Sequence, residues 1–424
     1  MSTLALFGGQ PTITDPWPVW PCAGRREREL VEEVLSSDMW GATGLGPKIA
    51  ELNRTFACYC DVKYGAAVAN GTVSMELCLR AWDIGPGDEV IVPAATFMAT
   101  PIAVHHVGAT VVYVDIDPKT TNLDPSRVAE AVTEKTRAII PVHIGGHPCD
   151  MDPLMEIARS RDIKVLEDAA QAHGAIYKGR KAGSLGDAAS YSFQQSKNMQ
   201  SGEGGMVVSN DKDLIDLIHY SLSKFGRGIR EKYSGHMHYR FGWNASYTEI
   251  QAAIALAQLE RLDELTEKRA VHAKLLFTLL EDIKGIEPLV WQPYCTRHGH
   301  HLLLFRFNSD EFEGAHRAQF LAALTAEGVT GSTYYPMPLY KQPLYVADKT
   351  LSMRNMSCPV TEQVCREVAF FEQNLLLAET EKIELIAEAV RKIRENASEL
   401  HRIEVMEDDF MGSAVLKKAR KKAG

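Results

Sequence analysis

The sequence lacks the features of a membrane-spanning or secreted protein. None of the apolar runs in its 424 residues approaches the roughly 20 residues that a membrane span needs. The N-terminal stretch MSTLALFGGQPTITDPW has neither a charged start nor a long apolar core, so we expect no signal peptide. These absences predict a cytoplasmic protein that has no membrane partner.

The sequence also lacks an excess of positive charge and a second pair of closely spaced cysteines. The net charge is −9, which argues against nucleic acid as a partner. The one basic cluster, at Lys417–Lys422, is typical of a solvated tail. The eight cysteines are scattered, and only Cys58 and Cys60 lie close together, which fits no strong zinc pattern. We therefore expect reduced thiols and no metal site.

From Tyr64 onward, short apolar runs alternate with helical stretches. Runs such as Glu89–Pro93 (EVIVP), Thr110–Asp115 (TVVYVD) and Ala138–His143 (AIIPVH) are typical of buried parallel strands. Helices between such strands cover both faces of the sheet, which predicts the α/β fold class with a mostly parallel sheet. A sheet of this kind binds its ligands at the carboxyl ends of its strands.

The same pattern predicts three parts of the chain. Residues 1–24, rich in proline and tryptophan, are expected to form an extended arm. Residues 25–247 form the large α/β domain. Residues 248–424 begin with a long helical stretch, to about Leu280, and continue as a smaller α+β domain that packs with the large one as a unit. The last helix of this part is expected from about Thr380 to Leu400.

A single lysine, Lys197, stands in the segment YSFQQSKNMQSGEGG between two β-like runs, Ala188–Phe193 and Gly205–Ser209. A loop lysine does covalent chemistry only if its amine becomes neutral and reaches a carbonyl, as in a Schiff base with pyridoxal phosphate. The alternative is a surface lysine in a hairpin, which is the commoner case for a lysine taken alone.

Asn70-Gly71-Thr72 stands at a predicted strand-to-helix junction. The free N–H groups and the dipole of a helix N-terminus make a phosphate site, to which Thr72 would add a hydroxyl. Taken alone, the motif is better explained by ordinary N-capping by Asn70 or Thr72. Ser192, before Lys197, is placed to bind the same phosphate.

Asp168 ends an apolar strand in the segment LEDAAQ. An acid at that edge can pair with the ring nitrogen of pyridoxal phosphate and keep it protonated, and Gln171 is placed to bond the ring hydroxyl. A helix cap is the alternative for Asp168. A paired-carboxylate or metal site with Glu167 is weaker, because adjacent strand residues point to opposite faces.

Several of these motifs together resemble the DegT/DnrJ/EryC1/StrS aminotransferases. The resemblance rests on NGT, EVIVPAATFMAT, EDAAQAHGA, the SFxxxK…GEGG segment and the GxN before TEIQAAI, and it spans about Gly8 to about Lys392. It implies the fold-type I architecture, with a large domain around a seven-stranded-type sheet and a smaller C-terminal domain. It also implies a transaminase that uses pyridoxal 5′-phosphate, with pyridoxamine 5′-phosphate as the intermediate form.

The resemblance also implies roles for residues of the motifs. Lys197 would bond the cofactor and shuttle protons, Asp168 would hold the ring nitrogen, and Gln171 would contact the ring oxygen. Phe97, in TFMAT, would stack on the ring. The phosphate would be held by Gly71, Thr72, Ser192 and, from a partner subunit, Asn244. An obligate homodimer with shared active sites is therefore implied.

Two departures from the family pattern bear on the substrate. Gln194 and Gln195 replace a His-Pro that is usual in nucleotide-sugar members. Ser246 stands two residues after Asn244, where an arginine is common in the family. The Gln version is similar to the branch acting on free cyclitols such as scyllo-inosose and 2-deoxy-scyllo-inosose. We expect an amino acid donor, glutamine or glutamate, and a keto-cyclitol or ketosugar acceptor of antibiotic-type biosynthesis.

Other substrates and functions stay open at this point. A nucleotide-ketosugar aminotransferase and an aromatising enzyme like 3-amino-5-hydroxybenzoate synthase both retain the lysine. Sugar dehydratases on the same scaffold replace it with histidine, so Lys197 argues against them. A catalytically inactive regulatory protein is disfavoured by the intact Asp168, Gln171 and Lys197. For the acceptor we predict polar contacts from Gln194, Gln195, His300 and Tyr335.

Overall fold

The structure is a computed structural model of the chain, and it describes residues 3–41, 46–228, 237–407 and 414–416. The basic cluster Lys417–Lys422, predicted to be a solvated tail, lies outside these residues. Of the helices that the structure describes, none is both long enough and apolar enough to cross a bilayer.

The elements are numbered in chain order. The α-helices α1 to α13 are Arg25–Leu35, Pro47–Tyr59, Gly71–Ala81, Ala99–His106, Pro125–Ala131, Met151–Arg159, Lys212–Asp216, Glu249–Glu260, Leu262–Leu280, Arg317–Ala326, Pro343–Ala347, Pro359–Glu367 and Thr380–Glu395. The strands β1 to β17 are Tyr64–Val68, Glu89–Pro93, Thr110–Val114, Thr136–Ile139, Lys164–Asp168, Ile176–Tyr177, Arg180–Lys181, Ala188–Ser192, Gly205–Ser209, Ile286–Pro288, Cys295–Arg297, Leu302–Phe307, Gly331–Thr333, Met353–Asn355, Val368–Glu372, Val405–Glu407 and Ala414–Leu416.

The large sheet has the strand order β1-β9-β8-β5-β4-β2-β3-β14. Strand β9 runs antiparallel to both of its neighbours, whereas the other pairs are parallel. The sheet is therefore mostly parallel, as predicted. Its eighth strand, β14, was not predicted and comes from the C-terminal part of the chain.

Side chains of one strand reach two separate cores. On β3, Val111 and Tyr113 join a buried cluster with α3 and α4. Val112 and Val114 join another with α5 and α6. Because successive strand residues point to opposite faces, this division shows that helices cover both faces of the sheet.

A further core, separate from the two at the large sheet, surrounds a four-stranded antiparallel sheet of order β10-β12-β15-β13. Its apolar residues include Phe305 of β12, Phe320 of α10 and Ile386 of α13. Leu4 and Ile13 of the N-terminal arm are buried in this same cluster. The arm therefore packs on the smaller C-terminal part of its own chain.

Three boundaries differ from the prediction. The stretch expected to be one helix to Leu280 is interrupted at Arg261, whose φ of −114° and ψ of 6° separate α8 from α9. The last helix, expected to reach Leu400, ends at Glu395. The chain also returns to the large domain after the predicted division at residue 248. Strand β14 joins the large sheet, and the buried Tyr345 packs in the core beside it.

Candidate active site

A cavity of about 1480 Å³ lies where the carboxyl ends of the parallel strands meet. Its walls include residues that follow β1, β2, β5 and β8 directly, as expected for an α/β sheet. Most of the predicted site residues line it, namely Gly71, Thr72, Phe97, Asp168, Gln171, Ser192, Gln194, Gln195, Lys197 and Tyr335. Asn244 and His300 are not among the lining residues.

The turn between β1 and α3 presents a helix N-terminus to the cavity. Asn70 is the N-cap, because its side chain accepts a hydrogen bond from the Val73 N–H at 2.9 Å. The capping alternative thus holds for Asn70, and it leaves Gly71 and Thr72 in the first turn beside the cavity. These two residues stand where the N–H groups and dipole of α3 favour an anion.

Glycines let β8 and β9 approach this turn closely. A Cβ on Gly71 would lie 3.0 Å from the Cβ of Ser192, and one on Gly205 would lie 2.8 Å from the Gly71 nitrogen. Contacts this short leave no room for a side chain at Gly205. The close approach places the Ser192 side chain beside Gly71 at the start of α3, and Thr72 and Ser192 both line the cavity.

Asp168 is the last residue of β5 and is 5% exposed. Its carboxylate accepts hydrogen bonds from the Thr100 hydroxyl at 2.8 Å and from the Ala170 N–H at 3.2 Å. Burial raises the pKa of Asp168, and these bonds and the nearby Lys197 oppose the rise. The element after β5 is the strand β6, so Asp168 does not cap a helix.

Glu167 points away from the cavity. Its carboxylate accepts hydrogen bonds from the backbone N–H groups of Gly183, Leu185 and Gly186 and contacts His143 at 3.0 Å. This arrangement confirms that the adjacent acids lie on opposite faces. Glu167 fixes the backbone behind the site, and Asp168 alone of the two faces the cavity.

Lys197 lies at the tip of the loop between β8 and β9. The neck of this loop is closed by hydrogen bonds from Phe193 N to Gly204 O at 2.8 Å and from Ser201 N to Phe193 O at 2.9 Å. Desolvation lowers the pKa of the Lys197 amine, and the charge of Asp168 partly offsets this. The amine therefore loses its proton more readily than that of an exposed lysine.

Gln171 connects the two sides of the cavity. Its Oε1 accepts a hydrogen bond from the Gly145 N–H at 2.7 Å, and its Nε2 donates to the Tyr335 hydroxyl at 3.3 Å. These bonds fix the orientation of the amide beside Asp168. Burial raises the pKa of Tyr335, so its hydroxyl stays protonated near neutral pH.

Residues 21–391 match the sequence profile of the DegT/DnrJ/EryC1/StrS aminotransferase family. The chain belongs to this family. The match covers the arm end, the large sheet and nearly all of the small domain, so the predicted family, the α/β fold-type I class and an aminotransferase are confirmed.

Individual relatives of this aminotransferase differ in their substrates. The chain is 35% identical to the L-glutamine:2-deoxy-scyllo-inosose aminotransferase of Streptoalloteichus tenebrarius, over 94% of this chain and 99% of the relative. It is 38% identical to the GDP-perosamine synthase of Caulobacter vibrioides, over 77% and 86%. The crystal structure of 3-amino-5-hydroxybenzoic acid synthase matches with a TM-score of 0.81 at 32% identity, covering 89% of this chain and 99% of that one.

The histidine run places His301, and not His300, at the cavity of the aminotransferase. His300 is fully buried and stacks on His298, with ring centroids 4.2 Å apart. The structure therefore does not support the predicted substrate contact of His300. The physical reason is the left-handed backbone at His300, with φ of 53°, which departs from the alternation expected before a strand.

Asn244 and Phe97 are both exposed in the single chain. Asn244 lies outside the cavity lining, on a segment bridged to Lys224. Phe97 is 63% exposed although it is a large apolar residue, and its ring borders the cavity beside Thr96. Exposed apolar surface at a cavity is typical of a ligand-contacting position.

Several cavity residues were not predicted from the sequence. Thr100, which is not among the lining residues but donates a hydrogen bond to Asp168, was not predicted either. Trp20 comes from the arm, and Gln373 and Asn374 follow β15. No local motif marks these three. Over the described ranges, no group of three or more metal-ligating side chains was found.

Proposed function

We propose that this aminotransferase moves an amino group from glutamine or glutamate to a free keto-cyclitol, using pyridoxal phosphate bonded to Lys197. The observation that carries the proposal is the pairing of Lys197 and Asp168 in one cavity. Burial lowers the pKa of Lys197, which favours the neutral amine that a Schiff base requires. Burial raises the pKa of Asp168, and a carboxylate whose charge is disfavoured gains most from a cationic partner such as a protonated ring nitrogen.

The rest of the cavity fits the same cofactor. The N-terminus of α3, with the hydroxyls of Thr72 and Ser192, suits a phosphate group. The exposed Phe97 ring suits stacking against a flat heterocycle. Gln171, held by Gly145, can direct its remaining amide hydrogen to a ring oxygen.

Lys197 would act as base and acid during the transfer. When bound, pyridoxal phosphate supplies an electron sink that stabilises the carbanion formed next to the amine. The lowered pKa of Lys197 lets its amine accept a proton near neutral pH and return it to the other side of the reaction. The loop bonds at Phe193 and Ser201 limit how far the amine can move.

The charge of the cavity supports an acceptor that has no diphosphate. Lys197 is the sole lysine or arginine among the lining residues within the described ranges. Glu76, Glu203 and Glu372 also line the cavity. A nucleotide-linked sugar carries a diphosphate that needs cationic or N–H partners, whereas a cyclitol presents neutral hydroxyls. We assign the polar contacts of the acceptor to Gln195, Tyr335 and, in place of His300, His301.

The extent of the similarity also supports a cyclitol. The match to the deoxy-scyllo-inosose enzyme runs over 94% of this chain, compared with 77% for the perosamine enzyme, although the identities are close at 35% and 38%. The longer match leaves less of this chain without a counterpart in the relative.

A second copy of the chain would complete the site. The segment next to Asn244 exposes large apolar side chains, with Phe241 80% exposed and Met237 56% exposed. Apolar exposure of this size is typical of an interaction surface. We propose a homodimer in which Asn244 reaches the phosphate corner of the partner.

The experiment is a screen of half-reactions. Protein loaded with the aminated cofactor is mixed separately with scyllo-inosose, 2-deoxy-scyllo-inosose and a nucleotide-linked ketosugar, and the return of the lysine-bound cofactor absorbance is recorded. We expect return with the cyclitols. Return with the nucleotide sugar alone would contradict the proposed acceptor, and conversion to an aromatic product would favour the synthase alternative.

A further inference from the structure

We propose that Trp20 of the N-terminal arm is a positioning residue for Lys197, so that the arm is a working part of the active site. The inference rests on the role proposed above for Lys197. It is carried by one contact, in which the indole Nε1 of Trp20 donates a hydrogen bond to the Lys197 carbonyl oxygen at 3.1 Å. Trp20 and Pro21 also line the cavity.

The Trp20 hydrogen bond contacts the tip of the loop between β8 and β9, at Lys197 itself. The neck of the loop is closed by its own backbone bonds, and Lys197 N donates to Gln194 O at 2.9 Å within the tip. On the far side of Lys197, the Asn198 side chain donates to Gly299 O at 2.5 Å. Two other segments of the protein, the arm at Trp20 and the segment at Gly299, therefore hold the loop on either side of the Lys197 side chain.

Trp20 is itself held in place by a buried cation. The guanidinium carbon of Arg269 lies 5.1 Å from the centre of the Trp20 ring. Arg269 is fully buried, and its Nε and Nη2 donate to Gln373 Oε1 at 2.8 and 2.5 Å. A desolvated cation over an indole is a favourable arrangement that fixes the ring plane. Gln373 lines the same cavity.

The arm connects this contact to the small domain. Trp17 Nε1 donates to Gly328 O at 2.6 Å, and Asn374 Nδ2 donates to Pro18 O at 3.1 Å. The partners of the arm in these two bonds, Gly328 and Asn374, both belong to the C-terminal part of the chain. The position of Trp20 against Lys197 is thus set by the small domain, which also forms the acceptor side of the cavity.

Two tryptophans of the arm provide a matched comparison. W20F removes the N–H that bonds Lys197 and keeps an aromatic ring over Arg269. W17F removes an equivalent N–H-to-carbonyl bond in the same arm but leaves the cavity untouched. A role that is only structural predicts similar consequences for both substitutions, whereas a positioning role predicts an effect on the lysine loop from W20F alone.

The test is amide hydrogen exchange of residues 193–204 in the cofactor-free protein. Because one hydrogen bond is lost, we expect W20F to exchange about 2- to 10-fold faster in this loop, and W17F to match the unsubstituted protein there. Equal exchange in both variants, or an unchanged loop in W20F, would overturn the proposal. This measurement needs no cofactor, so its outcome is independent of the function proposed for Lys197.

A second readout uses the loaded protein and keeps the proposal testable if W20F is poorly folded without cofactor. The absorbance of the lysine-bound cofactor is titrated with pH in both variants. We expect the midpoint to move in W20F and to stay in W17F, with kcat lowered about 2- to 10-fold in W20F and the donor KM little changed. An identical midpoint in the two variants would contradict a positioning role.

Discussion

The two sides of the cavity are built in different ways. On the sheet side, Gly71, Asp168 and Ser192 end strands or begin the helix that follows one, so a single sheet edge holds all of them. On the opposite side, the walls come from four separate segments, represented by Trp20, His301, Tyr335, and Gln373 with Asn374. The sheet side is suited to chemistry that all family members share, and the opposite side to the choice of acceptor. Substitutions on each side of the cavity test this division of roles.

The largest effect is expected from K197A on the sheet side. Without the amine, neither the bond to the cofactor nor proton transfer is possible, so turnover and the lysine-bound absorbance should be abolished. Absorption spectra and a coupled transamination assay measure both. K63A, at an exposed lysine just before β1, is the control and should leave both intact. Full activity of K197A would remove this lysine from the mechanism.

D168N should follow, with a loss of roughly 10²-fold or more in kcat for both half-reactions. The amide retains the shape of the carboxylate but cannot keep a ring nitrogen protonated. Stopped-flow rates with donor alone and with acceptor alone separate the halves. A loss confined to one half-reaction would mean that Asp168 belongs to substrate recognition, and the contrast between the two sides would fail.

The sheet side could be predicted because its chemistry follows strands in the sequence. Asp168 ends an apolar run, and Gly71 and Lys197 follow such runs within five residues, so the topology of a parallel sheet brings them together. Thr100 was missed because a hydroxyl on a helix has no distinguishing pattern until its partner is known. The strands themselves could be predicted closely. Both faces of the sheet are buried, so each strand is a nearly continuous run of apolar residues such as Val and Ile.

The opposite side could not be predicted in the same way. Trp20 and Tyr335 are more than 300 residues apart in the sequence, and only the packing of the arm on the small domain unites them. The left-handed backbone at His300, which is not among the residues that line the cavity, cannot be read from the sequence His-Gly-His-His. The strand β14, with the sequence Met-Arg-Asn, is too short to show an apolar pattern, and the break at Arg261 interrupts a stretch with no helix breaker.

On the acceptor side, Y335F should have a smaller and more selective effect. It removes the hydroxyl that accepts from Gln171 and that faces the cavity. We expect kcat/KM for the acceptor to fall about 2- to 10-fold and the donor half-reaction to change less. Y340F is the matched control, because Tyr340 is not among the lining residues and its hydroxyl donates to Glu362 at 2.9 Å. An equal fall in both half-reactions would place Tyr335 with the shared chemistry.

The smallest effect concerns stability and pH in the cofactor-free protein. Because burial lowers the pKa of Lys197, its protonated form destabilises the folded state at all pH values below the folded pKa. K197M should therefore raise the free energy of unfolding at neutral pH, which for a chain of 424 residues appears as a Tm higher by about 1 °C. The gain should shrink as pH rises toward the ordinary lysine pKa of about 10.4 and vanish above it, where the amine is neutral in both states.

Thermal unfolding measured at pH 7 and at pH 10 checks this prediction. K63M, at the exposed lysine, should give no gain at either pH because its amine is solvated in both states. A gain for K197M that is the same at both pH values would show that better packing, and not the lost charge, is responsible.

The most direct test of Lys197 as the cofactor lysine is chemical and needs no substitution. Protein loaded with pyridoxal phosphate is reduced with borohydride, digested, and searched by mass spectrometry for the peptide that carries the cofactor. We predict that the modification lies on Lys197, in the loop between β8 and β9. Modification of a different lysine, or of none, would contradict the account.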